Sequence, residues 1–214
     1  MRIGIIGSGH IGSALTRRLR KLGHDVAVSN SRGPDTLSTL ASETGAQAVT
    51  VNEAARGRDM LIIAIPEKSY RDLAADLFIN TPVNTIVVDT GNYYPARDGT
   101  IAAIEDGTPS SVWVTEQIGR PVIKAFNTIQ AERLMNGGKP SATPDRRALP
   151  VSGDDDTAKG AVIRLIDALG FDGVDAGNLN ESWRQEPGTP VYGADLNTDG
   201  VLRAIGEAQK QRDG

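Results

Sequence analysis

Apolar and polar positions along the chain fall into two rhythms. Short apolar runs, several of them alternating, mark strands at 2–6, 25–28, 47–51, 60–65, 85–89, 122–126, 148–152 and 171–176. The run 60–65 is uninterrupted, the pattern of a strand covered on both faces. Between the strands, apolar residues recur at helical spacing. Helices are expected at 11–22, 35–44, after Pro66 to 78, at 129–135 and from Gly153-Asp154-Asp155-Asp156 to 169, with short ones at 100–105 and, capped by Asn52, through Ala55. Residues 93–120 are less regular, 136–147 reads as a surface loop, and the polar tail 177–214 carries one helix at 199–211. Strands alternating with helices give an α/β fold: a doubly wound, mostly parallel, Rossmann-type sheet over residues 1–176, with a short polar C-terminal extension at 177–214.

The first strand runs into Gly7-Ser8-Gly9-His10-Ile11-Gly12. A glycine triplet of this spacing is informative here because an apolar run precedes it and a helix follows. Gly7 permits a tight turn, Gly9 lets backbone approach a pyrophosphate, and Gly12 lets helix pack on strand. The first helical amides then point at the phosphates, with the helix dipole favouring negative charge.

The second strand ends in Ser29-Asn30-Ser31-Arg32. An NAD site wants a carboxylate there, for the ribose 2′-hydroxyl. Beyond the end of that strand no carboxylate occurs until Asp35. Two hydroxyls, an amide and a guanidinium suit a 2′-phosphate, so NADP(H) is the expected cofactor.

Composition narrows the function further. The chain has 214 residues and net charge −4, no footprint for nucleic acid or an acidic membrane. Cysteine is absent, which removes disulfides and thiolate catalysis. Two histidines make a metal site unexpected, and the aspartates at 154–156 read as helix caps. With no signal segment and no apolar stretch of spanning length, a cytoplasmic protein is expected.

Other strand ends should complete the site, since ligands of such sheets bind beyond the carboxyl ends of the strands. Ile65 and Pro66 are placed to wall a nicotinamide; Asn92 and Asn127 are placed to bond its carboxamide or ribose, or else to make turns. No acid–base pair stands out, and Lys124 and Tyr93 are the only stand-ins. Hydride transfer needs little beyond two rings held face to face.

At this point the residues resemble a family. Gly7 to Gly12, Ser31-Arg32, Val122-Ile123-Lys124-Ala125-Phe126-Asn127-Thr128-Ile129, Ser152-Gly153-Asp154-Asp155 and Asp175-Ala176-Gly177-Asn178-Leu179 with Ser182-Trp183 look like the NADPH-dependent reductases of the deazaflavin coenzyme F-420, and like the cytosolic domains of STEAP-type metalloreductases. The resemblance implies hydride exchange between NADPH and a flavin-like ring. It implies that Ser8 to Ile11 hold the pyrophosphate and Ser31 and Arg32 the 2′-phosphate, while Ile65-Pro66 and Ala125 to Asn127 flank the nicotinamide. It also implies a homodimer. The chain departs from the deazaflavin enzymes at 186–192, where Pro187, Gly188 and Pro190 interrupt an expected helix beside the acceptor pocket. Two alternatives stay open: reduction of a small carbonyl or imine, and a non-catalytic NADP(H) sensor.

Overall fold

The computed structural model describes residues 1–209, so the last two positions of the expected tail helix lie outside the described residues. Strands β1 (Arg2–Ile6), β2 (Asp25–Ser29), β3 (Gln47–Ala48), β4 (Met60–Ile63), β5 (Ile86–Asp89) and β6 (Ile123–Lys124) form a parallel sheet in the order β3-β2-β1-β4-β5-β6. The helices are α1 (His10–Lys21), α2 (Ser38–Thr44), α3 (Val51–Ala55), α4 (Pro95–Asp98), α5 (Ala102–Glu105), α6 (Ser110–Ile118), α7 (Ala131–Asn136), α8 (Asp156–Ala168) and α9 (Thr198–Glu207).

Alternation along each strand feeds two apolar layers. Ile3, Ile5, Met60 and Ile62 face Leu15 and Leu19 of α1 and Ile166 of α8. Ile6, Leu61 and Ile63 face the other side, against Ala54 and Ala55 of α3 and Trp113 of α6. Both faces are buried, as the uninterrupted run at β4 requires.

A second pair, β7 (Ala148–Val151) and β8 (Asp172–Asp175), is parallel within itself. It joins the main sheet through one antiparallel bridge, Lys124 to Ser152, with both backbone bonds made at 2.8 and 3.0 Å. The sheet therefore reverses direction at β7. The start of β7 comes to the edge where β6 ends, and the tail follows it there, with the Ala148 amide donating to the Leu196 carbonyl at 2.8 Å.

Several expected elements differ. The strand expected at 47–51 stops at Ala48, because Thr50 caps α3 with Glu53 in a reciprocal capping box; Asn52 is not the cap. The helix expected after Pro66 to residue 78 is only a 3-10 turn, Glu67–Asp72. Its three-residue repeat aligns Glu67 and Tyr70, and both go into the interior, so tertiary demand overrides propensity. Residues 110–118, read as irregular, are α6.

Candidate functional site

The glycine loop leaves β1 beneath two clefts. Gly7 has φ +108°, and a Cβ there would sit 2.1 Å from the Ala64 carbonyl oxygen; only glycine fits. A Cβ on Gly12 would meet the Gly7 carbonyl at 1.9 Å, so the close packing of helix on loop is real. Gly9 is the opposite case: a Cβ there meets nothing within 4 Å. Its space opens upward, where a ligand's phosphates would lie.

Helix α1 begins at His10 with no side-chain cap and no acidic residue in its first turn. Among the described residues the amides of Gly9, His10, Ile11 and Gly12 find no acceptor. A helix start with orphan donors, a favourable dipole and open space is a place for an anion.

The first cleft, about 730 Å³, runs from the loop to the end of β2 and the end of β4. Gly7, Ser8, Gly9, Asn30, Ser31, Arg32, Ile65 and Pro66 line it. Asn30 is its brace. The Asn30 amide donates to Ser8 Oγ at 3.1 Å and to Thr36 Oγ1 at 2.9 Å, and its Oδ1 accepts from the Arg32 backbone amide at 2.9 Å. That turn presents Ser31 and Arg32, both exposed. Neither the Arg32 guanidinium nor the Ser31 hydroxyl has a partner among the described residues, so both are available to a phosphate.

The second cleft, about 340 Å³, opens on the other side of the loop. His10, Ile11, Asn92 and Asn127 line it, together with Phe126, Thr128 and Tyr192. Asn92 and Asn127 are largely committed to each other. Asn127 Nδ2 donates to Asn92 Oδ1 at 3.0 Å, and Asn92 Nδ2 donates to the Asn127 carbonyl at 2.9 Å. Between Ala125 and Asn127, Phe126 has φ +63°, a strained value for a side-chain-bearing residue and one that clusters at functional sites.

Three of the sequence-selected residues reach neither cleft. Ser29 is fully buried, its hydroxyl donating to the Ile5 carbonyl at 3.2 Å; Ala125 is fully buried behind Phe126; Gly12 lies under the loop. Ser29 is still within β2, where both faces of the sheet are covered, and the chain reaches the cleft only at Asn30.

Lys124 is no acid–base stand-in. Its ammonium is fully buried, 3.0 Å from Asp89 Oδ2, and also donates to the Gly91 carbonyl at 2.8 Å. Asp89 accepts further bonds from Tyr70 OH at 2.7 Å, Ser111 Oγ at 2.6 Å and the Gly91 amide at 2.8 Å. Burial opposes both charges, but the pairing outweighs it, leaving the Asp89 pKa below and the Lys124 pKa above their ordinary values. Tyr93 points away too: its hydroxyl donates to Glu105 Oε1 at 2.5 Å.

Two residues of the tail were missed. Tyr192 lines the second cleft, and its hydroxyl is hydrogen-bonded to that of Tyr94. Burial, then this bond, raises the Tyr192 pKa, so the phenol stays protonated. Gln185 is fully buried and links Asn127 to Ser152. No periodicity surrounds either residue, so the sequence carried no signal beyond the Pro-Gly-Pro punctuation nearby.

Comparison with known proteins places this geometry. A family model described as NADP oxidoreductase, coenzyme F420-dependent, matches residues 2–93. A crystal structure of a hypothetical protein from Sinorhizobium meliloti is 34% identical over 92% of this chain and 95% of that one, with a TM-score of 0.76. The chain belongs to the F420-dependent NADP oxidoreductase family. A candidate F420-dependent NADP reductase from Arthrobacter sp. FB24 shares the fold, with a TM-score of 0.67 at 22% identity over 85% of this chain and 87% of that one. Protein YjhV of Escherichia coli K12 is 39% identical over 71 residues, which is 33% of this chain and 52% of that protein. The chain thus matches about half the length of that curated relative.

The family's dependence on NADP agrees with a β2 end that offers Arg32 and no carboxylate. No helix among the described residues is long and apolar enough to cross a membrane. No cluster of metal-ligating side chains occurs among them either.

Proposed function

We propose that this chain binds NADP(H) in the first cleft and exchanges a hydride with a flavin or deazaflavin seated in the second. The observation that carries this reading is the open, uncapped start of α1 facing the unpartnered Arg32 across one cleft.

In this reading the amides of Gly9, His10 and Ile11 bind the diphosphate, and Ser31 and Arg32 bind the 2′-phosphate. Ile65 and Pro66 limit where the nicotinamide can lie. The Asn92–Asn127 pair contributes rigidity more than ligand bonds, since most of its donors are already used. The bound cofactor supplies the hydride. The protein supplies position, exclusion of water and, through the Tyr192 hydroxyl, a proton donor at the wall of the acceptor cleft. Residues 1–176 are the cofactor domain of this reading, and the extension from 177 closes the acceptor side. A cytoplasmic homodimer is part of the same proposal.

The test is NADPH oxidation followed at its near-ultraviolet band with FMN, FAD and the deazaflavin as acceptors. Turnover with one of them supports the reading; no turnover with any counts against it. Tyr192 favours a second reading, reduction of a carbonyl or imine, in which its proton goes to the substrate heteroatom. Activity with such compounds, lost in Tyr192→Phe, would select that reading instead.

A further inference from the structure

Beyond the second cleft, the same two segments that line it wall another cavity of about 550 Å³. Gln130 and Ala131 at the start of α7 and Tyr192 and Gly193 of the tail face the second cleft; Arg133 and Gly137 farther along and Asp195 to Asn197 face this one. The size is that of a small-molecule site.

The cavity collects positive charge in a chain whose net charge is −4. Arg133, Lys139 and Arg147 line it, against Asp145 and Asp195. Asp195 is shared: Arg147 lies 3.5 Å from one oxygen and Arg133 lies 4.0 Å from the other. Asp145 Oδ1 accepts from Asn197 Nδ2 at 3.3 Å. Lys139 makes no ion pair or hydrogen bond through its ammonium among the described residues.

Arg146 and Arg147 are adjacent and both buried, and the contrast between them is informative. Arg146 meets two carboxylates, Asp167 at 2.6 Å and Asp172 at 2.7 Å, and also donates to the Asp167 and Lys139 carbonyls. Burial pulls its pKa down, but those bonds leave it raised. Arg147 has one carboxylate neighbour, itself 61% exposed, and one carbonyl bond, to Ala194 at 2.7 Å. Its Nε is buried without a partner. Burial lowers its pKa, Asp195 offsets only part of that, and the Arg133 charge adds to the lowering. A buried cation short of anionic partners, lining an open cavity, is a demand for an anion.

We propose that this cavity is a binding site for a small anion bearing carboxylate or phosphate groups, held by Arg133, Lys139 and Arg147. Asp195 keeps the two arginines apart and oriented; Lys139 closes on the ligand. Its place next to the second cleft lets one molecule occupy both, and if the proposed acceptor site is right, the acceptor carries a charged arm. The anion site itself stands whether or not that reading does.

The test is an amide NMR titration of the full chain with citrate and, separately, with pyrophosphate. Saturable shifts at 137–139, 147 and 195–197 are expected with at least one of them, and the stronger ligand tells carboxylate from phosphate. In the doubly substituted R133A/K139A chain, both changes being at exposed positions, affinity should fall roughly tenfold or more while the spectrum elsewhere is kept. Shifts confined to 7–12 and 30–32, no shifts up to millimolar ligand, or equal affinity in the variant would overturn the proposal.

Discussion

Asn127 and Gln185 fasten the tail to the end of β6. Gln185 Nε2 donates to Asn127 Oδ1 at 2.9 Å, and Asn127 Nδ2 donates to the Gln185 carbonyl at 2.7 Å. Ser152 Oγ completes the chain by donating to Gln185 Oε1 at 2.9 Å. All three residues are buried, and the strained Phe126 sits directly before Asn127. Gln185→Ala should therefore cost on the order of 1–3 kcal/mol for each polar group left unpaired. Urea unfolding measures it; an unchanged midpoint would mean that water replaces the amide without loss.

Lys124 and Asp89 make a second prediction. Both are fully buried, so removing one leaves the other's charge uncompensated. Lys124→Met should destabilise by about 3–5 kcal/mol, and Asp89→Asn added to it should recover a good part of that. Additive losses in the double variant would contradict a coupled pair.

Glu67 gives the pH dependence. It is buried, with both carboxyl oxygens lacking a hydrogen-bond partner among the described residues. Burial, reinforced by the Asp89 charge and only partly opposed by Lys124 and Arg97, pushes its pKa up to about 8. The folded chain holds this proton more tightly than the unfolded chain does. The resulting stability is complete below the ordinary value of 4.5 and declines as pH rises, being lost once pH passes about 8. Glu67→Gln cannot ionise, so its stability relative to the parent should grow with pH across that window, by at most about 1.4 kcal/mol per pH unit. Parallel curves for the two proteins would show that Glu67 titrates normally.

The loop glycines should separate folding from binding. Gly7→Ala and Gly12→Ala meet backbone oxygens at 2.1 and 1.9 Å and should destabilise the fold. Gly9→Ala meets nothing, so its unfolding midpoint should hold while affinity for NADPH falls. Calorimetry beside thermal unfolding tests both halves; a Gly9→Ala chain that binds normally would place the diphosphate elsewhere.

The glycine loop, the order of strands and helices and the exposed Ser31-Arg32 could be read from the sequence, because each rests on local rules: glycine geometry, hydrophobic period, the residue at a strand end. What could not be read depends on distant partners. Lys124 reads as a reactive amine until Asp89 arrives from another strand. Tyr70 and Glu67 break an expected helix because the interior takes them. Ser29 satisfies the composition of a phosphate site, yet it is still inside β2, where the layers on both faces bury it. Tyr192 and Gln185 lie in a tail without periodicity and gain meaning only from what they touch. The reversal at β7 rests on a single bridge, which no local pattern announces.

In the proposed function Arg32 reads a 2′-phosphate at the end of β2. The decisive measurement is calorimetric titration of the chain and of Arg32→Ala with NADPH and NADH. Tighter binding of NADPH is expected in the parent, with a loss of about 1.5–3 kcal/mol for NADPH alone in the variant and NADH nearly unchanged. Equal weakening for both nucleotides, or no heat with NADPH in the parent chain, would contradict it.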